Sequence, residues 1–110
     1  MKIPPGSPIG RDKLTQYLLT PRAKDDKSQY LARGGFDQSN PDALEAAIHR
    51  AIEHTEATVD RANEHGTYYN VRCELDGPGG RKLPVVLIWL RRLDGVHSFI
   101  TLVPARERSQ

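Results

Sequence analysis

Between Gly66 and Pro104, hydrophobic and polar positions follow a period of two, and the pattern changes character partway along. Thr67–Leu75 alternates, with Tyr69, Val71, Cys73 and Leu75 on one side and Tyr68, Asn70, Arg72 and Glu74 on the other. This spacing predicts a half-buried strand. Leu83–Leu90 is almost purely apolar and ends at Arg91-Arg92, while Val96–Val103 follows the turn signal Asp94-Gly95. The cluster Asp76-Gly77-Pro78-Gly79-Gly80 separates the first two segments as a turn. Together they predict a C-terminal antiparallel meander of three to four strands. A strand apolar on both sides is normally covered on both, yet too little chain remains to cover both faces of this sheet. One face is therefore expected to stay partly open as a working surface.

Upstream the period becomes helical. Leu14, Tyr17 and Leu18 share one face of a short helix predicted over Arg11–Leu19 and stopped by Pro21. Arg22–Asp26 reads as a charged loop, and Lys27–Arg33 as a second short helix with Tyr30 and Leu31 turned inward. Gly34-Gly35 ends that helix, and Phe36 is expected to anchor in the core. The strongest local signal follows. Asn40 suits an N-cap, Pro41 the first helical position and Asp42 the first turn. Leu44, Ile48, Ile52, Thr55, Val59 and Ala62 then form one apolar stripe, ended by Gly66. A long helix over about 41–65, laid across one face of the meander, is the expectation. Residues 1–10 read as an extended or poorly ordered arm and 105–110 as a fraying tail, giving one α+β domain over 1–110.

A chain of 110 residues can bury a core without staples. Its single cysteine, Cys73, excludes a disulfide framework and a multi-cysteine zinc site and suits a reducing, cytoplasmic setting. Alternation with Val71 and Leu75 favours a small buried side chain there over a reactive thiol. The proline- and glycine-bearing start has no apolar run, so neither a signal peptide nor a membrane span is expected. No cofactor is implied.

The small net charge of +2 hides a polarity. Residues 1–36 carry seven Lys/Arg against three Asp/Glu, residues 37–66 two against seven, and residues 67–110 seven against four. If the two basic segments meet, their joint surface suits a phosphate-bearing partner; ordinary solvated charge is the competing explanation.

No motif of high specificity is present: no phosphate-cradling loop before a helix, no paired-histidine metalloprotease motif, no nucleophile elbow. His49 and His54 stand five apart, which does not place them on one helix face, so no metal site is expected from them. His65 falls near the end of the long helix. His97 differs. A two-residue turn at Asp94-Gly95 would pair Arg92 with His97, Leu90 with Phe99, Ile88 with Thr101 and Val86 with Val103. Arg92, His97 and Thr101 would then share a face, with Trp89, Arg91 and Ser98 on the other. A cation, an imidazole and a hydroxyl side by side could bind and polarise a phosphodiester; a solvated hairpin end is the alternative. Trp89 likewise has two readings, interior packing or stacking of a nucleobase beside Arg91. Lys13 and Lys27 could each reach a bound phosphate, or be surface lysines.

Taken together, Lys13-Leu14-x-x-Tyr17-Leu18-Leu19, Lys27-Ser28-x-Tyr30, Gly34-Gly35-Phe36, Gly66-Thr67-x-Tyr69, Leu75-x-Gly77-Pro78-x-Gly80-Arg81, Trp89 and Phe99-Ile100-Thr101-Leu102-Val103-Pro104 carry a resemblance. The chain resembles a small bacterial domain found free-standing and at the C-termini of polymorphic toxins. That domain is similar in turn to the ribonuclease toxins that include barnase, colicin nuclease domains and RelE-type toxins. The resemblance implies helices on an antiparallel sheet, RNA across the open sheet face, and metal-independent cleavage by attack of the ribose 2′-hydroxyl. By the same resemblance Lys27 would stabilise phosphate charge and Thr101 would hydrogen-bond the scissile group, with Lys13, Trp89, Arg72 and Arg81 as RNA contacts. The stretch Lys24-Asp25-Asp26 departs from the family's expected Pro/Gly link, which loosens the placement of Lys27. His97 and Arg92 rest on the hairpin geometry alone. The partners expected are RNA and a small antitoxin or immunity protein. A non-catalytic binding module using the open face, or a homodimer covering it, are the alternatives.

Overall fold

The alternating segments build a four-stranded antiparallel sheet in the order β1-β2-β3-β4. Its strands are β1 (Thr58–Asn63), β2 (Gly66–Asp76), β3 (Lys82–Arg92) and β4 (His97–Pro104). The computed structural model describes residues 1–10, 12–19 and 27–105, the side chain of Tyr17 excepted. In register, Tyr69 lies opposite Trp89, Val71 opposite Leu87 and Leu75 opposite Leu83, so the inward positions of β2 and β3 meet side by side. Trp89 packs edge-on against Phe99 at 5.5 Å between ring centroids, and both are fully buried. Aromatic pairs at this distance and tilt add to the energy of area burial.

Among the described residues, three helical segments cover that face. A π-helical turn (Lys13–Leu18) buries Leu14 and Leu18, and the Leu19 amide donates to the Leu14 carbonyl at 2.9 Å. α1 (Ser28–Arg33) buries Leu31 and ends at Gly34, which lies against Leu83, and Phe36 follows as the expected core anchor. Tyr30 Oη donates to the Pro84 carbonyl at 2.5 Å, tying α1 to β3. α2 (Pro41–His54) turns Leu44, Ala47, Ile48, Ala51 and Ile52 into the core. Asn40 does not cap it with its side chain. Its Oδ1 accepts from the Asp37 amide at 2.8 Å and its Nδ2 donates to the Gly35 carbonyl at 2.9 Å, bracing the loop that delivers the helix.

The long helix expected over 41–65 is corrected. It stops at His54, and Thr58–Asn63 forms the edge strand β1, with Val59 60% exposed. Two β-branched residues, Thr58 and Val59, favour the extended state, and pairing with β2 gives this segment backbone partners that a solvent-facing helix end would lack. Asn63 pairs with Gly66 across Glu64-His65, and Asn63 Oδ1 accepts from the His65 amide at 2.8 Å. His65 is thus a hairpin-turn residue. Gly66 is no helix cap: its φ of 138° and the closeness of the Arg91 carbonyl, which a Cβ would strike, require glycine there.

Because α2 is short, the N-terminal arm covers what it leaves. Met1–Gly10 is docked, with a turn in which the Ser7 amide donates to the Pro4 carbonyl at 3.3 Å, and Ile3 and Ile9 are buried in the core cluster. The Ala57 amide donates to the Met1 carbonyl at 2.6 Å and the Phe99 amide to the Pro8 carbonyl at 3.2 Å, so the arm runs from the β1 side of the sheet to the β4 side. Its terminal ammonium meets Glu56 at 2.8 Å. At the other end Ala105 is buried, its amide donating to the Pro84 carbonyl at 3.1 Å. The expected fraying of 106–110 and the charged loop at 22–26 lie outside the described residues. The overall class is α+β: helices and an antiparallel sheet in separate stretches of chain.

Candidate functional site

With the described helices on one side, the other face of the sheet presents a second set of side chains. Asn70 lies opposite Ile88, Arg72 opposite Val86 and Tyr68 opposite Leu90. Thr101 lies opposite Ile88 and Val103 opposite Val86. Tyr68, Asn70, Val86, Ile88, Leu90, Thr101 and Val103 are all half-buried, and Arg72 is exposed. At the β1 edge the Arg61 guanidinium stands 4.5 Å over the Tyr68 ring, a cation–π contact that holds both at this surface.

Beside β4 the π-helical turn leaves a cleft of about 420 Å³ lined by Asp12, Lys13, Gln16, Ile100 and Thr101. Gln38 Nε2 donates to the Thr15 carbonyl at 2.5 Å, fixing the turn against the loop before α2. Lys13 is half-buried and meets no carboxylate among the described residues. Among the described residues Thr101 Oγ1 has only a long 3.4 Å contact to the Leu102 carbonyl, which leaves its hydroxyl able to meet a ligand. Asp12 and Gln16 were not singled out from the sequence; a four-residue spacing puts them on one side of a helical turn, but only the placement of β4 shows which side matters.

The expected hairpin register is half right. Ile88 pairs with Thr101 and Val86 with Val103, but nearer the turn Arg91 pairs with His97, Leu90 with Ser98 and Trp89 with Phe99. The connection is longer than two residues: Arg92 and Val96 are joined by a 2.8 Å backbone bond, and Asp94 Oδ1 accepts from the Val96 amide at 3.0 Å. A bulge at Ile100 restores the deeper register. Next to it the Phe99 amide points away from β3 and donates to the Pro8 carbonyl at 3.2 Å. One extra residue inverts the alternation, so His97 and Thr101 stand on opposite sides of the sheet. The expectation that Arg92, His97 and Thr101 share a face is therefore overturned.

Other positions are placed as follows. Trp89 is 0% exposed on the core face, so base stacking by Trp89 is corrected to interior packing. Its Nε1 has no hydrogen-bond partner among the described residues. Arg81 Nη1 donates to the Arg33 carbonyl at 3.1 Å and ties the β2–β3 turn to α1. Arg92 faces Asp94 at 3.6 Å, both half-exposed. Lys27 sits at the N-cap of α1, outside the residues lining the Lys13–Thr101 cleft. His97 is half-buried 6.3 Å from the Tyr69 ring, and burial, then the Arg91 charge, holds its imidazole below the usual 6.5. Among the described residues no group of His, Cys, Asp or Glu is arranged to hold a metal ion, and no helix is long and apolar enough to cross a membrane.

The family model for DUF6883, a domain of unknown function, matches residues 7–106. The chain belongs to this family. Among solved structures, the DUF6883 chain is similar to a chain of a contact-dependent growth inhibition toxin–immunity protein complex from Klebsiella pneumoniae 342. The TM-score is 0.64 at 20% identity, over 93% of this chain and 96% of that one, a likeness of fold. No curated protein matches it.

Proposed function

We propose that this DUF6883 domain is a ribonuclease-like toxin domain acting at the cleft between the π-helical turn and β4, and restrained by a small immunity or antitoxin protein. The observation that carries the reading is the meeting of Lys13 and Thr101, distant in sequence, in one cleft bordering an open sheet face that bears Arg61, Tyr68 and Arg72. The family resemblance of the sequence and the likeness to a chain of a toxin–immunity complex support it.

In this reading RNA lies along the open face, its phosphates against Arg61 and Arg72. The 2′-oxygen forms a bond to the adjacent phosphorus as the bond to the 5′-oxygen breaks, leaving a cyclic phosphate. Asp12 accepts the 2′-proton, and the Lys13 ammonium balances charge on the phosphoryl oxygens and supplies a proton to the leaving oxygen. Thr101 donates to a phosphoryl oxygen. Lys13, rather than Lys27, takes the role of the charge-stabilising cation.

Purified protein should cleave RNA in the presence of a chelator. Lys13→Ala and Thr101→Ala should each slow cleavage about ten- to a hundredfold while leaving thermal unfolding unchanged. Failure of folded protein to cut any RNA, with or without ribosomes, would count against the reading.

One observation favours a second reading. Val86, Ile88, Leu90 and Val103 form a half-exposed apolar strip beside Thr101, which suits a protein partner or a second copy of the chain. A binding module of this kind would lose its partner on Ile88→Asp and be indifferent to Lys13→Ala. Solution mass would reveal the homodimer.

A further inference from the structure

At the hairpin end of the sheet a second group of side chains lies apart from the Lys13–Thr101 cleft and on the opposite side of β4. Thr67 pairs with Arg91, and Arg91 with His97, so a hydroxyl, a guanidinium and an imidazole stand in one row across three strands. These residues, with Gly66, Arg92, Leu93 and Gly95, line a cleft of about 330 Å³. We propose that the row Thr67–Arg91–His97 is a phosphate-binding site.

Each member brings a donor of a kind that phosphate oxygens accept. Arg91 offers a planar fork matched to two oxygens at once. Among the described residues no carboxylate pairs with it, because Asp94 is engaged with Arg92 at 3.6 Å. Thr67 adds a hydroxyl from β2. His97 adds a ring nitrogen, and its Nε2 is buried without a hydrogen-bond partner among the described residues. Because Nε2 is shielded from solvent, an oxyanion in the cleft meets only the exposed part of the ring, and Arg91 and Thr67 are the principal donors. The groups facing the ring are Arg91 on β3 and Tyr69 on β2, so its surroundings carry positive charge and, among the described residues, no carboxylate contact. Gly66 secures the row, since any side chain there would meet the Arg91 carbonyl and push β2 out of register with β3.

The ligand is a phosphate group, free or borne on a nucleic acid. The site is independent of cleavage at the other cleft, so either proposal can fail without the other. The test is titration of the full chain with inorganic phosphate, followed by the imidazole signals of His97 and the amide of Thr67 in nitrogen–proton spectra. Both should shift saturably, and Arg91→Gln should weaken binding at least about tenfold, while Lys13→Ala and Thr101→Ala leave it unchanged. Arg91 is exposed, so the variant should keep its fold; Thr67→Val, expected to weaken binding less, serves as a second variant. A short oligoribonucleotide with and without a 5′-phosphate then separates sources. A shift only with the 5′-phosphate assigns the site to a terminal monoester, and a shift with both assigns it to the backbone. Absence of any shift at millimolar phosphate, or a shift that Arg91→Gln leaves intact, overturns the proposal.

Discussion

The two faces of this sheet are made by the same strands and yet differ in fate. On β3 the core-facing set is Leu83, Val85, Leu87 and Trp89, and the outward set Pro84, Val86, Ile88 and Leu90. By hydrophobicity alone the two sets are almost interchangeable. Their neighbours on β2 separate them: Val71 lies opposite Leu87, whereas Arg72 lies opposite Val86 and Glu74 opposite Pro84. A charged side chain can be left in water at little cost but not buried unpaired. The polar half of β2 therefore decides which face of β3 takes the helices. The apolar residues left outside are then free for a ligand or a partner.

The sharpest way to break that comparison is to truncate matched residues on the two faces. Trp89→Ala should cost about 3–5 kcal/mol and Leu87→Ala about 2–5 kcal/mol, measured by denaturant unfolding. Ile88→Ala, one residue away but half-exposed, should cost only about 1 kcal/mol. Equal losses at Leu87 and Ile88 would mean the outward face is covered too, and the site reading would fall with it.

Gly66→Ala comes next. It strains a positive φ and drives a Cβ into the Arg91 carbonyl, so a loss of about 2 kcal/mol or more is expected. The loss should come with weakened phosphate binding at the hairpin end, because the Thr67–Arg91 pairing is what the glycine protects.

How much of this was legible beforehand depended on the range of the signal. The alternation of β2, the apolar run of β3, the turn at Asp76–Gly80, Leu14, Leu31 and Phe36 as core residues, and the start of α2 could all be read locally. The end of α2 could not. Thr55, Val59 and Ala62 continue a helical stripe, and only pairing of Thr58–Asn63 with β2, a tertiary event, turns them into loop and strand. The missed cue was chemical: Asn63 and Gly66, both turn-favouring residues, flank the two-residue loop Glu64-His65. The site was legible in its members but not in its geometry. Lys13 and Thr101 were named, yet the bulge at Ile100, which sends His97 and Thr101 to opposite sides, carries no local signal in the alternation of β4.

On the open face, smaller stability effects should accompany larger functional ones. Arg72→Ala should change stability by no more than about 0.5 kcal/mol. It should also weaken RNA binding and reduce the slope of log affinity against log salt by about one. A variant that binds RNA with an unchanged salt slope would remove Arg72 from the interface.

Cys73 offers the mildest test, and it probes the covered face. It lies opposite Val85 and packs against the core. Burial first, and the neighbouring Glu74 charge second, push its thiol from 9.0 up to about 11. Because the thiol ionises later in the folded chain, the unfolded chain holds fewer protons between those two values. Stability should therefore be unaffected below about pH 9 and fall as pH rises from there towards about 11. Cys73→Ser should flatten that decline. At about pH 8 the native thiol should react with an alkylating reagent about a hundredfold more slowly than the denatured chain, since the thiolate is the nucleophile. Equal rates would show that water reaches this part of the core face, and the contrast between the two faces would be weaker than the packing of Trp89 and Phe99 implies.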